Sequence, residues 1–313
     1  MRKEMRHREQ EEVSKTTKGF FDEHLKDISE EWVDPNKAEP AGTKYRTFYS
    51  ETIKSEVSYL IYLPFVSWKH SPNHPYYDTA EGKRYPVVYW LHGLNGNQRR
   101  GAKFVEKLDA AIKSGNAPPM IAVLVNGLSS SMYCDSADGM KPVESIIVKD
   151  LIPYVDKTYP TIAKREERAV EGFSMGGFGA AHLGFKYPEL FVAVSIMSGA
   201  LHDEDSIVQQ RQEIFQNIFG GNREYFQANS LWILAEKNAD VIRRKVIVRI
   251  IVGGEDRLLQ RNRDYQELLS HLEIPHQFEV LEGVGHNARM LYEKLGDMAF
   301  SFYSKTFKTI LEE

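Results

Sequence analysis

Short apolar runs recur along the chain at intervals. Residues 87–91, 120–125, 169–173, 192–197 and 246–252 are rich in Val and Ile and too short for buried helices. Runs of that kind suit strands covered on both faces of a parallel sheet. Between them, 102–114, 143–159, 177–187 and 258–272 repeat their apolar positions at helical spacing. Leu258, Leu259, Tyr265, Leu268, Leu269 and Leu272 show it most clearly. Residues 57–63 alternate apolar and polar, the pattern of a partly exposed antiparallel strand, and 278–281 forms one more short strand. Strands and helices taking turns predict an α/β layered fold with right-handed crossovers.

Four stretches break this rhythm. Residues 1–42 read as a charged N-terminal arm, helix-forming in composition but nearly without core residues. Phe20, Phe21, Leu25, Ile28 and Trp32 would dock its end on the main domain, 43–313, before Asp34-Pro35 and Glu39-Pro40-Ala41-Gly42 break it. Residues 66–84 carry Trp68, Tyr76 and Tyr77 without a regular pattern. Residues 126–141 are polar and follow a strand end, where open α/β sheets bind ligands. Residues 201–240 are helix-rich and interrupt the last crossover, as a partial lid or a plain surface insertion.

Composition removes several function classes. The net charge of the 313 residues is -4, which gives no long-range attraction to nucleic acid or an anionic membrane. No apolar run nears the roughly 20 residues of a membrane span. Residues 1–19 lack the apolar stretch of a secretory signal. The expectation is a cytoplasmic protein, or a secreted one recorded without its leader. The lone Cys134 excludes an internal disulfide and a Cys-rich metal site. The acidic pairs lack the spacing of a Ca²⁺ loop, so no metal is expected. Nothing in the pattern speaks to oligomeric state.

The chemistry centres on Gly172-Phe173-Ser174-Met175-Gly176-Gly177, a G-x-S-x-G motif. The bare motif is weak, but a strand runs into it and an Ala-rich helix leaves it. A serine at such a corner has its hydroxyl pushed into the open, with a helix N-terminus behind it to favour an oxyanion. Gly172 and Gly176 are required where a Cβ would collide with the neighbouring strand or helix. The rival reading is a Gly-rich turn with no chemistry.

A serine needs a base, and around such an elbow the partners follow in the order Ser, Asp, His. Asp256 lies just past the 246–252 strand and His286 just past the 278–281 strand, on the same sheet edge as Ser174. Glu255 competes as the acid, and Asp256 before Leu258 also suits a helix cap. His202 competes as the base but precedes the acid. His182 suits a packing role. The turn Leu91-His92-Gly93-Leu94 follows the first apolar strand. The main-chain N–H groups of Leu94 and Met175 are the candidate oxyanion donors, and His92 a structural hydrogen-bonder.

Together the His92-Gly93 turn, Asp150-Leu151-Ile152-Pro153-Tyr154-Val155, the serine motif and Tyr187-Pro188-Glu189-Leu190-Phe191 resemble the esterase D, or "putative esterase", family of α/β-hydrolases. That family includes feruloyl and acetylxylan esterases of carbohydrate esterase family 1, S-formylglutathione hydrolases, enterobactin-type esterases and mycolyltransferases. The likeness covers about 44–308. It implies a three-layer α/β/α sandwich with a mostly parallel sheet, a triad at Ser174, Asp256 and His286, and no cofactor. Phe173 stands where formylglutathione hydrolases usually carry His, which makes the chain look more like the feruloyl branch. The substrate implied is a small-molecule or polysaccharide-linked ester carrying a feruloyl or acetyl group. Met132, Tyr133 and Trp232 are the candidate apolar walls for it, with ordinary packing as the alternative. The rival functions are a general short-chain carboxylesterase, a formylglutathione-type thioesterase, and a non-catalytic carbohydrate-binding scaffold.

Overall fold

The computed structural model describes residues 30–64 and 82–307. The expectations for 1–29 and 66–81, including Phe20, Phe21, Leu25, Ile28, Trp68, Tyr76 and Tyr77, fall outside these residues. Eight strands form one sheet: β1 Thr43–Ser50, β2 Ser55–Tyr62, β3 Val87–Leu91, β4 Ile121–Val125, β5 Arg168–Phe173, β6 Ala193–Met197, β7 Ile247–Gly253 and β8 His276–Leu281. Their spatial order is β1-β2-β4-β3-β5-β6-β7-β8. β3 to β8 run parallel, and β1 and β2 add antiparallel at one end. Parallel strands require crossovers, and the helices that make them cover both faces.

On one face, helix α1 (Ala102–Lys113) presents Phe104, Val105, Leu108, Ala111 and Ile112 to Val88 and Trp90. On the other, Tyr89 and Val170 meet the helical segment α2 (143–158, with π-type turns over Ile146–Leu151) and helix α3 (Met175–Lys186). Short helices α4 Glu204–Gln210, α5 Gln212–Asn217, α6 Arg223–Asn229, α7 Leu231–Lys237 and α8 Ala239–Lys245 follow β6. Then come α9 Leu259–His271, and α10 Ala288–Leu295 with α11 Met298–Thr306, which join α1 on its face. The result is a three-layer α/β/α sandwich of the α/β-hydrolase type.

One strand expectation changes, and one strand was not foreseen. Residues 57–62 are buried throughout rather than on alternate positions. The strand is interior, with β1 on one side, β4 on the other and helices above and below. β1 itself carries no clear run, since Tyr45, Arg46 and Thr47 are half-buried at the sheet's edge. The chain before it is tied down by polar contacts: Trp32 O accepts from Ser58 N–H at 2.7 Å, and Asp34 pairs with Arg99. No helix among the described residues is long and apolar enough to cross a membrane.

Candidate active site

β5 ends at Phe173 and α3 starts at Met175, so Ser174 alone turns the corner, at φ 58 and ψ -113. An L-residue tolerates that conformation only when its surroundings impose it. They do so through close backbone packing. A Cβ on Gly172 would sit 2.0 Å from Gly176 O, and one on Gly176 2.0 Å from Leu91 O. The elbow is therefore wedged between its own helix and the end of β3. Ser174 N–H donates to Met197 O at 3.0 Å, and Ala200 N–H donates to Ser174 O at 2.8 Å.

The three side chains named from the sequence meet at this edge. The Ser174 hydroxyl is 2.9 Å from His286 Nε2, and His286 Nδ1 is 2.8 and 3.0 Å from the two Asp256 oxygens. An ionised carboxylate only accepts, so Nδ1 carries the proton and Nε2 is free to accept from the serine. Asp256 also accepts from Leu258 N–H at 2.8 Å. Burial alone would raise the Asp256 carboxyl, but these donors outweigh it and hold the group below the usual carboxylate range. Glu255 is exposed, which removes it as the orienting acid. The Phe173 ring lies 4.8 Å from the His286 imidazole, centroid to centroid, and supports its flank.

The two expected oxyanion donors border the serine. Among the described residues neither Leu94 N–H nor Met175 N–H has a hydrogen-bond partner. Gly93 brings the loop close, since a Cβ there would lie 3.3 Å from Ser174 Cβ. His92 is fully buried. Its Nδ1–H donates to Gly93 O at 2.9 Å, and its Nε2 accepts from Gly127 N–H at 3.2 Å. Burial pulls its pKa down to about 4, so it stays neutral and braces the loop. His202 is buried against Ser206 and Arg261 and makes no contact with Ser174. Burial and the neighbouring arginines pull it down to about 3.

Two of the three expected substrate walls, Met132 and Tyr133, are corrected. Met132 and Tyr133 are 1% and 0% exposed and offer no surface to a ligand. Both have positive φ, 55 and 59, a backbone turn that sends the side chains inward. Tyr133 fills the space over Gly179 and Gly127, and its hydroxyl donates to His92 O at 3.1 Å. Trp232 is half-buried on α7, spends its N–H on Leu201 O at 3.2 Å and meets Tyr265 edge-on. Cys134 is also sealed, and burial raises its thiol well above the ordinary range.

A feature that sequence patterns did not reveal is a polar pocket of about 320 Å³ beside Leu94. Asn95, Ser129, Ser130, Gln210, Arg211 and Asn217 contribute to its lining. A larger cavity of about 700 Å³, with Arg165, Arg244 and His276 in its wall, lies where the strands begin, at the opposite end of the sheet from the triad.

A family model described as "Putative esterase" matches residues 50–311. The chain belongs to that family. It is a serine esterase. An acetyl esterase of Caldicellulosiruptor saccharolyticus is 27% identical over 253 residues, covering 77% of this chain and 90% of that protein. An endo-1,4-beta-xylanase/feruloyl esterase of Xylanibacter ruminicola is 28% identical over 185 residues, but the match spans 57% of this chain and only 24% of that protein. A solved ferulic acid esterase superposes with a TM-score of 0.69 at 26% identity, covering 85% of this chain and 98% of its own.

Proposed function

We propose that this esterase removes short acyl groups, acetyl foremost, from hydroxyl-rich alcohols such as cell-wall sugars, with Ser174, His286 and Asp256 as its triad. The observation that carries the triad is the unbroken chain of hydrogen bonds from Ser174 Oγ through both nitrogens of His286 to Asp256. Ser174 attacks the ester carbonyl as His286 takes its proton, and the oxyanion rests on the N–H groups of Leu94 and Met175. His286 then protonates the departing alkoxide, leaving an acyl-serine. Water attacks that ester with His286 again as base, and the acid leaves. Asp256 stays ionised and fixes the ring's tautomer throughout.

The polar pocket beside Leu94 supports a hydroxyl-bearing alcohol, because side-chain amides and hydroxyls match a sugar's donors and acceptors. The acetyl esterase matched over most of its length supports a small acyl group. So does the burial of Met132 and Tyr133, which leaves neither as a wall for an aromatic ring. A second reading, feruloyl release, is favoured by the ferulic acid esterase of the same fold at 26% identity. Initial rates on acetylated xylan, methyl ferulate, p-nitrophenyl acetate and S-formylglutathione test the assignment. Acetylated xylan should give the highest kcat/KM. A clear preference for methyl ferulate selects the second reading, and a preference for S-formylglutathione overturns both.

A further inference from the structure

Ser198 ends the path of β6 across the sheet, between the nucleophile and the strand that leads to Asp256. Its backbone φ is 46, in the left-handed region where glycine is at ease and a β-carbon is not. Its side chain is completely buried, and its Oγ has no hydrogen-bond partner among the described residues. Buried hydroxyls without a partner are uncommon and ask for a reason. A glycine here would remove both the strain and the unmet hydroxyl.

The position is held from all sides. Ser198 N–H donates to Ile251 O of β7 at 2.7 Å. Next to it, Gly199 is clamped by Asn262, whose Oδ1 accepts from Gly199 N–H at 3.1 Å and whose Nδ2 donates to Gly199 O at 2.9 Å. Ala200 N–H closes onto Ser174 O. The backbone of Ser198 is thus fixed between the elbow and the strand that leads to Asp256.

We infer that Ser198 is a positioning residue for Asp256, its hydroxyl standing ready to donate to the carboxylate and keep it aimed at His286. The inference rests on the triad reading above. The carboxylate has room for such a donor: it accepts from His286 Nδ1–H and Leu258 N–H and retains a lone pair. His286 is the only titratable group in hydrogen-bond contact with it among the described residues, and Glu255 and Arg257 beside it point to solvent. Ser198 also lies near enough to favour the ionised form of Asp256, against the opposing effect of burial. As His286 gains its proton in each transfer, the carboxylate must hold its charge and its angle, and a second fixed donor serves both.

Two variants test this, Ser198→Ala and Ser198→Gly, each assayed on p-nitrophenyl acetate across pH beside the unaltered protein. A hydrogen bond to a charged group is worth enough that kcat should fall about ten- to hundredfold in both, with KM unchanged. Without the hydroxyl the carboxylate's charge is less dispersed, so the acid limb of the kcat/KM profile should move to higher pH. Ser198→Gly should melt near the unaltered protein, since its backbone suits glycine. Full activity and an unmoved profile in Ser198→Gly overturn the inference, whatever Ser198→Ala does, because a purely structural serine is replaceable by glycine here. Fluorophosphonate labelling of the unaltered protein checks the underlying triad separately. If Ser174 is not labelled, the triad reading fails, and it fails independently of any result at position 198.

Discussion

Asp256 and Glu144 are both buried carboxylates that hold a histidine, one at the edge where the strands end and the other on the flank of α3. Around Asp256 the ring of His286 faces a carboxylate with one nitrogen and a serine hydroxyl with the other. Around Glu144 the ring of His182 faces the carboxylate at 2.6 Å and the Asn229 carbonyl at 2.9 Å. Lys186 donates to Glu144 at 2.9 Å, and the Tyr187 hydroxyl donates to it too. Both neighbours of His182 are acceptors, a carboxylate and a main-chain carbonyl, so the ring faces no hydroxyl that it could activate. His286 can give up and regain the proton shared with serine. A carboxylate–histidine pair is therefore not a catalytic signature by itself, and what the second nitrogen faces decides its use. His182 instead fastens α2, α3 and α6 together.

The sharpest way to break this comparison is Asp256→Asn. It should lower kcat by about 10⁴-fold with the fold intact, because the amide turns the ring to the wrong tautomer. A loss under tenfold in steady-state assays would deny Asp256 its role. Glu144→Gln should do the reverse. Removing one partner of a buried ion pair strands the others, so the unfolding free energy in urea should drop by about 3 kcal/mol while kcat stays near its original value. An intact unfolding midpoint with lost activity would move the Glu144 cluster into the catalytic machinery. The smallest effect is in pH. Burial pushes the Glu144 carboxyl up, but its contacts with His182, Lys186 and Tyr187 win and bring it to about 2 from an ordinary 4.5. A lowered folded-state pKa adds stability that is complete above the ordinary value and fades as pH falls through the folded one. Melting temperatures should therefore decline between pH 4.5 and 2, and less steeply in Glu144→Gln. Parallel declines in the two proteins would contradict the account.

Much of the site was legible because its parts obey local rules. Ser174 sits in a Gly-bounded motif between a strand and a helix, and Asp256 and His286 each follow a strand end in the chain order that the elbow demands. The glycines did what sterics required of them. The loop after β4 was read less well. Its position suggested that Met132 and Tyr133 face a ligand, but consecutive left-handed residues invert the chain there, and no periodicity reports that. Glu171 and Arg249 were hidden for another reason. Each interrupts an apolar run, and they pair at 2.9 Å across β5 and β7, strands separated by β6 in the sheet and by more than seventy residues in the chain. Local patterns cannot show a partner that only the sheet order brings near.

That hidden carboxylate sits one residue before the elbow's first glycine. Trp90 donates to Tyr292, and Tyr292 and Tyr303 donate to Glu171 from α10 and α11. The strand that runs into Ser174 is thus moored by side chains 121 and 132 residues further along the chain. During synthesis the elbow segment emerges long before its moorings, and a folding domain settles as a unit only when they arrive. A nascent chain stalled before Tyr303 would hold all three triad residues and still leave Glu171 buried without its full set of donors. Hydrolytic competence should then appear abruptly and only after Tyr303 has been made, a timing set by a fully buried carboxylate.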